Sequence, residues 1–355
     1  MIKIFFTVLI TIIFSSKLLA QEYDFFEPKA TIGGYGELHY NNEKVGDSPS
    51  KSIWDFHRFV LFFGYSWTEQ WSFKSEIELE HNFVKNGQGE LELEQAYVNY
   101  HHSDLFGFNA GIIIPSIGLI NEFHEPPLFF GTERPVYHNL IIPTTWFGSG
   151  ASIYGNYKGF DYRFTLFETL NSDKFSLSEA IRPARMKGFK PDASRFLYSV
   201  KLDYLNIPGL KMGSSFSFNN AKGDSTKIDV TIYEFHAKYE ANNITAVFEF
   251  GNINYSSGEL KSSRGFYFDL GYNVSSLINS KTRITPFARY SDINTAAKTL
   301  SGGDSEKLFH FSEWMVGIDI KPIDQVVFKI DYSERVRKLD DRKTKFINLG
   351  IGYMF

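Results

Sequence analysis

The last twelve residues of the chain alternate strictly. Ile347, Leu349, Ile351, Tyr353 and Phe355 fall on one side, and Phe346, Asn348, Gly350, Gly352 and Met354 on the other. A tilted strand of this length crosses a bilayer, and one of its faces is apolar enough for lipid. The same period of two recurs upstream, in segments 30–40, 56–67, 71–81, 90–100, 106–114, 145–157, 160–170 and 195–205. It continues through 210–219, 228–239, 244–253, 265–274, 283–290, 309–320 and 326–332 to the closing strand 344–355. In 30–40, Ile32, Leu38 and Tyr40 share one face and Tyr35, Glu37 and His39 the other. In 56–67, Phe59, Leu61, Phe63, Tyr65 and Trp67 face outward. Segment 90–100 changes phase, from Leu91 and Leu93 to Ala96, Val98 and Tyr100, which predicts a bulge near Gln95.

The connections differ in length. Those at 68–70, 158–159, 206–209, 240–243 and 321–325 are short; those at 116–144, 171–194 and 291–308 are long. With the first strand rising from the periplasm, every long link is expected outside and every short one inside. The predicted fold is all-β: a transmembrane antiparallel β-barrel of sixteen strands over residues 30–355. In hydrocarbon every backbone donor and acceptor must be paired, and closure does this for strands.

The N-terminus sets the compartment. Lys3 supplies a positive start, residues 4–14 an apolar run, and residues 15–20 a cleavage region with Leu18 where a smaller residue is preferred. Residues 1–20 read as a signal peptide and 21–29 as an N-terminal periplasmic segment, so the expected location is the outer membrane of a Gram-negative bacterium. The chain has 37 basic and 41 acidic residues; losing Lys3 and Lys17, and no acid, takes the net charge from −4 to −6. Mean hydropathy is slightly negative, as suits strands that show only alternate side chains to lipid. The 36 Phe, 20 Tyr and 5 Trp exceed what a soluble domain needs and suit aromatic girdles. There is no cysteine, and no nucleic-acid partner is indicated.

The inward positions carry the chemistry. Lys74, Glu76, Glu78 and Glu80, followed by Glu90, Glu92 and Glu94, fall on one hairpin, and Arg58 on the strand before it. These are the expected pore-lining residues. The six carboxylates would form an acidic patch biasing the pore, or would instead balance Arg and Lys across the barrel. A wall this charged implies water inside, and sixteen strands leave room for it. The connection 116–144 is long, apolar and rich in proline, so it is expected to pack rather than to wave in solvent.

Several stretches resemble the phosphate-selective porin O and P family. They are the run from Ile32 to Tyr40, the run from Asp55 to Gly64, Ser75 to His81, Glu92 to Tyr97, and above all Ile120-Asn-Glu-Phe-His-Glu-Pro-Pro127 with Glu133-Arg-Pro135 and Ile142-Pro-Thr-Thr-Trp146. The resemblance covers the first 150 residues. It implies a sixteen-stranded, trimeric channel whose third external loop, 116–144, folds into the barrel. Glu122, His124, Glu125, Glu133 and Arg134 would then be the charged groups of a constriction. Capping the rim or packing on a neighbouring subunit is the alternative for that loop. Selective members of the family use clustered basic residues along the pore, where this chain has its Glu-rich hairpin.

The expected function is passive diffusion of small hydrophilic solutes or ions. An adhesive or structural role, or an enzymatic one, is the alternative. No Gly-x-Ser-x-Gly elbow and no His-Glu-x-x-His motif is present, so no catalytic residue is expected. No cofactor is expected, nor a metal, although Glu122, His124 and Glu125 are close in sequence. An energy-driven receptor would need a plug and about 22 strands, beyond this length. The expected partners are outer-membrane lipid and lipopolysaccharide, two further copies of the chain, and the barrel-assembly machinery through the strand ending at Phe355.

Overall fold

The computed structural model describes residues 27–355. The expected signal peptide and residues 21–26 lie outside the described residues. The chain builds β1 (Lys29–Val45), β2 (Lys51–Ser66), β3 (Trp71–Glu80), β4 (Leu91–Ser103), β5 (Phe106–Ile113) and β6 (Gly148–Tyr157). It continues with β7 (Phe160–Glu168), β8 (Phe196–Ile207), β9 (Leu210–Lys222), β10 (Lys227–Ala241) and β11 (Ile244–Tyr255). The remaining strands are β12 (Leu260–Tyr272), β13 (Arg283–Thr299), β14 (His310–Ile323), β15 (Val326–Arg337) and β16 (Lys343–Met354). Each pairs antiparallel with the next, and β16 closes on β1 with Tyr35 opposite Met354 and Val45 opposite Thr344. The sixteen-stranded closed barrel is the fold the alternation predicts.

The alternation also fixes the faces. Ile32, Leu61, Phe63, Phe164, Val316 and Ile347 are exposed on the outside, while Tyr35, Glu37, His39 and Val60 are buried inside. The phase change in β4 is a bulge: Gln95 lies opposite Glu76 and Leu93 opposite Ile77, leaving Glu94 as the extra residue. A charge on the outer band is expected to be costly. Val316→Arg, at the middle of β14, should lower barrel stability by about 2–4 kcal/mol, read from urea unfolding in lipid vesicles. No change would mean that this face does not meet hydrocarbon.

Three local expectations need correction. The first half of the stretch 291–308 is strand, because β13 runs on to Thr299. Its polar side chains read as loop, but Ser291, Ile293, Thr295 and Ala296 are buried inside the barrel, and the Thr295 hydroxyl donates to the Leu177 carbonyl at 2.5 Å. The lengths of the connections do not sort perfectly by end. Residues 223–226 and 256–259 are short links at the loop end, and 273–282 is a longer link at the end that carries the tight turns and Phe355. The predicted segment 90–100 stops short, because β4 runs on through His101 and His102 to Ser103.

The apolar core sits inside the barrel. Ile117, Tyr137, Ile141, Ile142 and Trp146 of connection 114–147 pack with Leu170, Ile181 and Ala184 of connection 169–195. Both pack on inward side chains of β10–β13, among them Val230, Ile232, Tyr267 and Ile293. One side of the loop end is therefore filled, and the open space lies along β1, β2 and β13–β16.

Candidate channel interior

Connection 114–147 is positioned by its own chemistry. Pro126 and Pro127 start a short 3-10 turn, and Pro135 precedes the single helical turn Tyr137–Leu140. Proline brings no backbone donor that would need a partner. Seven further backbone polar groups are met by charged side chains of the wall. Lys329 on β15 donates to the carbonyls of Phe129 and Gly131 at 2.8 and 2.7 Å. Arg289 on β13 donates to Phe130 O at 2.8 Å, Lys201 on β8 to Gly118 O at 2.7 Å, and Lys321 on β14 to Pro127 O at 2.5 Å. Asp331 accepts from Thr132 N at 2.7 Å, and Glu249 on β11 from Leu119 N at 2.8 Å. Buried charges are tolerated when hydrogen-bonded in this way. Much of the charged wall that the sequence suggests to be wetted is instead a set of sockets for this connection.

The side chains of the connection are also engaged. Glu122 pairs with Arg163 on β7 and lies 3.3 Å from Lys201. Burial works against its carboxylate, but these two cations outweigh it and hold its pKa down at about 2. Glu133 Oε1 lies 2.9 Å from His39 Nδ1 and accepts from Asn41 Nδ2 at 3.0 Å. Desolvation again opposes the charge, although this side chain is 43% exposed, and His39 overcomes it, leaving Glu133 at about 2. Arg134 reaches Tyr35 OH and Thr144 Oγ1 at 3.4 and 3.5 Å. His138 Nε2 lies 2.5 Å from Glu249 Oε2, which also accepts from Tyr267 OH at 2.7 Å. His124 Nδ1–H donates to Asn121 O at 3.0 Å. For His124, burial and Arg134 press the pKa down, and Glu76 and Glu94 bring it up to about 10. Glu125 is partly buried, with Oε2 unpartnered.

The acidic hairpin is not the open patch that its sequence suggests. Glu76, Glu78 and Glu94 are 2%, 0% and 0% exposed. Arg58 covers Glu78 and also forms an ion pair with Glu37 at 2.7 Å, while Glu90 and Glu92 are bound by Lys187 of connection 169–195. Lys74 lies toward the turn end beside Gln95 and Tyr97, away from the carboxylates. Among the predicted acids, Glu80 is the one that borders open space without an ion-pair partner.

Two large cavities remain inside the barrel. The one at the loop end has a volume of about 510 Å³ and is bordered by Glu37, Glu80, Arg134, Arg182, Glu313 and Arg335. The one at the turn end measures about 580 Å³, with Lys211, Lys238, Arg283, Asp319 and Lys321 on its wall. Phe129 of the connection borders both, so the two are separated by the stretch that Lys329 and Asp331 hold. Arg58, Arg289 and Arg335 are paired with acids, whereas Arg134 and Arg182 have no ion-pair partner among the described residues. The role of inward glycines is not evident from the sequence. A Cβ at Gly352 would overlap Pro126, and one at Gly251 would lie 2.5 Å from Tyr137 OH. Bare backbone lets the connection press against β16 and β11. The signal that could have shown it is the Gly350–Gly352 pair on the inner parity of β16.

This fold is that of bacterial outer-membrane porins. An anion-selective porin from Comamonas acidovorans superposes with a TM-score of 0.63 at 10% identity, over 93% of this chain and 100% of that one. OmpF of Salmonella typhi, in a complex with daunomycin, gives 0.61 at 11% identity, over 92% and 98%. The trimer form of OmpT, an outer membrane protein of Vibrio cholerae, gives 0.60 at 11%, over 93% and 100%. By sequence, the chain belongs to the same family as an uncharacterized protein of Aquifex aeolicus. The two are 31% identical over 350 residues, which cover 92% of this chain and 80% of that protein. No protein-family model matches the chain.

Proposed function

We propose that this protein is an outer-membrane porin that lets small hydrophilic solutes and ions diffuse passively, with connection 114–147 as its constriction. The observation that carries this reading is the pair of charged cavities at the two ends of a closed, aromatic-sided barrel, divided at Phe129. The loop end then faces the outside and the tight turns the periplasm. The chain is exported by residues 1–20 and sits among lipid and lipopolysaccharide, after delivery by the barrel-assembly machinery. It works as a homotrimer without enzymatic activity. The Vibrio OmpT, described in a trimer form, supports the assembly. The stretches that resemble the phosphate-selective porin O and P family make phosphate a solute to test.

Selectivity follows from charges left without partners, since a pore reads the field of its unneutralised groups. At the loop-end cavity these are Lys51, Arg134 and Arg182 against Glu43 and Glu80. Planar-bilayer recordings under a salt gradient should show open channels with a weak anion preference. Arg134→Glu with Arg182→Glu should move the reversal potential to the cation side. Cation preference in the unsubstituted protein would return selectivity to the Glu76–Glu94 hairpin. An absence of current would remove the pore and favour the adhesive or enzymatic reading.

A further inference from the structure

Behind the constriction lies a group of side chains that diffusion does not use. Glu76 of β3, Glu94 of β4 and His124 of connection 114–147 converge, all at 3% exposure or less. His124 Nε2 lies 3.5 Å from Glu76 Oε1 and 3.6 Å from Glu94 Oε2, and one donor atom from each residue falls within 4.8 Å of the others. Glu76 Oε1, both Glu94 oxygens and His124 Nε2 have no hydrogen-bond partner. Leaving that many buried polar atoms unmet is costly unless something sits between them.

The surroundings aim these atoms at a common point. The Nδ1–H of His124 is fixed on Asn121 O, so in the neutral ring Nε2 presents its lone pair to the two carboxylates. A carbonyl on the far nitrogen is the usual outer support of a metal-binding histidine. Glu94 is the extra residue of the β4 bulge, a device that redirects a side chain. Gln95 occupies the other oxygen of Glu76, and Arg58 is spent on Glu37 and Glu78. With the Nε2 proton displaced by a metal ion, the imidazole joins the two carboxylates in offering three donors to one cation.

We propose that Glu76, Glu94 and His124 bind a divalent cation of the Zn²⁺ type, which ties the constriction to the β3–β4 wall. Metal–ligand bonds of about 2.1 Å in a tetrahedral array put neighbouring donors about 3.4 Å apart, close to the two spacings to His124. Octahedral packing would draw them nearer, and a mixed nitrogen and oxygen donor set suits Zn²⁺ better than Ca²⁺ or Mg²⁺. The competing occupant is a proton on Nε2. A charged hydrogen bond to a carboxylate would close to about 2.8 Å, shorter than either separation. A second cluster, Asp55 with His57 and His81, has its atoms already paired at 2.9 Å and serves as the control.

The test uses folded, full-length mature barrel, stripped with a chelator and titrated with Zn²⁺ against a chromophoric competitor. Co²⁺ is followed in parallel by its visible spectrum. One tight equivalent with a tetrahedral Co²⁺ spectrum is expected, and it should survive His57→Ala with His81→Ala. Glu94→Gln should weaken it by roughly a hundredfold or more, since loss of even an outer-shell partner costs 10–100-fold. Heat-modifiable migration checks folding, and His124→Gln replaces Glu94→Gln should the latter not fold. Absence of tight binding to the folded protein would overturn the proposal and leave a shared proton in the cluster. Binding that survives Glu94→Gln or His124→Gln, or that is lost with His57 and His81, would overturn it as well. The binding assay needs no channel activity, so its failure and that of the porin reading are separate results.

Discussion

Lys329→Met is expected to unlatch the tip of the constriction and to give larger, flickering single-channel currents from a barrel that still folds. Lys329 is 3% exposed, and its ammonium holds the carbonyls of Phe129 and Gly131 while sitting 3.8 Å over the Phe129 ring. It also faces Asp319 directly across the β14–β15 pair, and both oxygens of Asp319 lack a hydrogen-bond partner. Methionine keeps most of the volume but orphans two carbonyls and removes the cation that faces Asp319. Removing one member of a buried charged set costs about 3–5 kcal/mol. The barrel itself is stitched by sixteen strand pairings, so the loss should be met locally, by release of residues 129–132. Lys343→Met is the comparison: that exposed side chain pairs with Glu334 at the loop end and borders neither cavity, and it should change little, since exposed pairs are worth about 0–1 kcal/mol. Lys329→Met currents indistinguishable from those of the unsubstituted protein would mean that Lys329 does not latch the constriction.

The sixteen strands were legible because each is a local pattern. Every second side chain must suit lipid, and the requirement repeats at each crossing whatever the far partners are. Even the β4 bulge showed, as a phase change at Gln95. The end of β13 did not, because its outer positions leave the lipid band and its inner face meets connection 169–195, so Ser291 to Thr299 carry neither lipid-facing nor loop character. The interior was half legible. Parity places Glu76, Glu94 and Lys329 inside, but it cannot say whether an inward charge meets water or another segment. That depends on which carbonyl of a folded connection arrives opposite it, a contact across as many as 200 residues. Hence the Glu hairpin reads as a wetted patch, while in the structure Lys187, Arg58 and His124 cover it. The unpartnered Arg134 and Arg182 are found only by subtracting every pair the fold makes.

Removing Phe355 is expected to slow barrel closure more than any single truncation on the lipid face. Its backbone N–H donates to Gly34 O at 2.9 Å and its carbonyl accepts from Gly34 N–H at 3.0 Å, which makes it the last pair of the β1–β16 seam. Its ring stacks on Phe59 of β2 with centroids 6.1 Å apart. Gly34 leaves room for this, since a Cβ there would stand 2.8 Å from the Phe355 ring. Two hydrogen bonds at about 1 kcal/mol each, with an aromatic pair worth about 0.5–1.5 kcal/mol, put the equilibrium cost near 3 kcal/mol. The kinetic effect should be larger in consequence. The seam joins residues about three hundred positions apart, and closure entropy must be met before such a contact returns anything; until it forms, β1 and β16 are open edges that pair with other chains. Refolding into vesicles without any assembly factor isolates this term. A chain ending at Met354 should fold more slowly and lose yield to aggregation, Phe355→Tyr should behave like the unsubstituted protein, and Leu349→Ala, exposed in mid-strand on the same face, should mainly lower final stability. Equal refolding rates for the truncated and full chains would mean that the seam zips from its loop end, where Val45 meets Thr344, and that Phe355 serves recognition in the cell instead of closure.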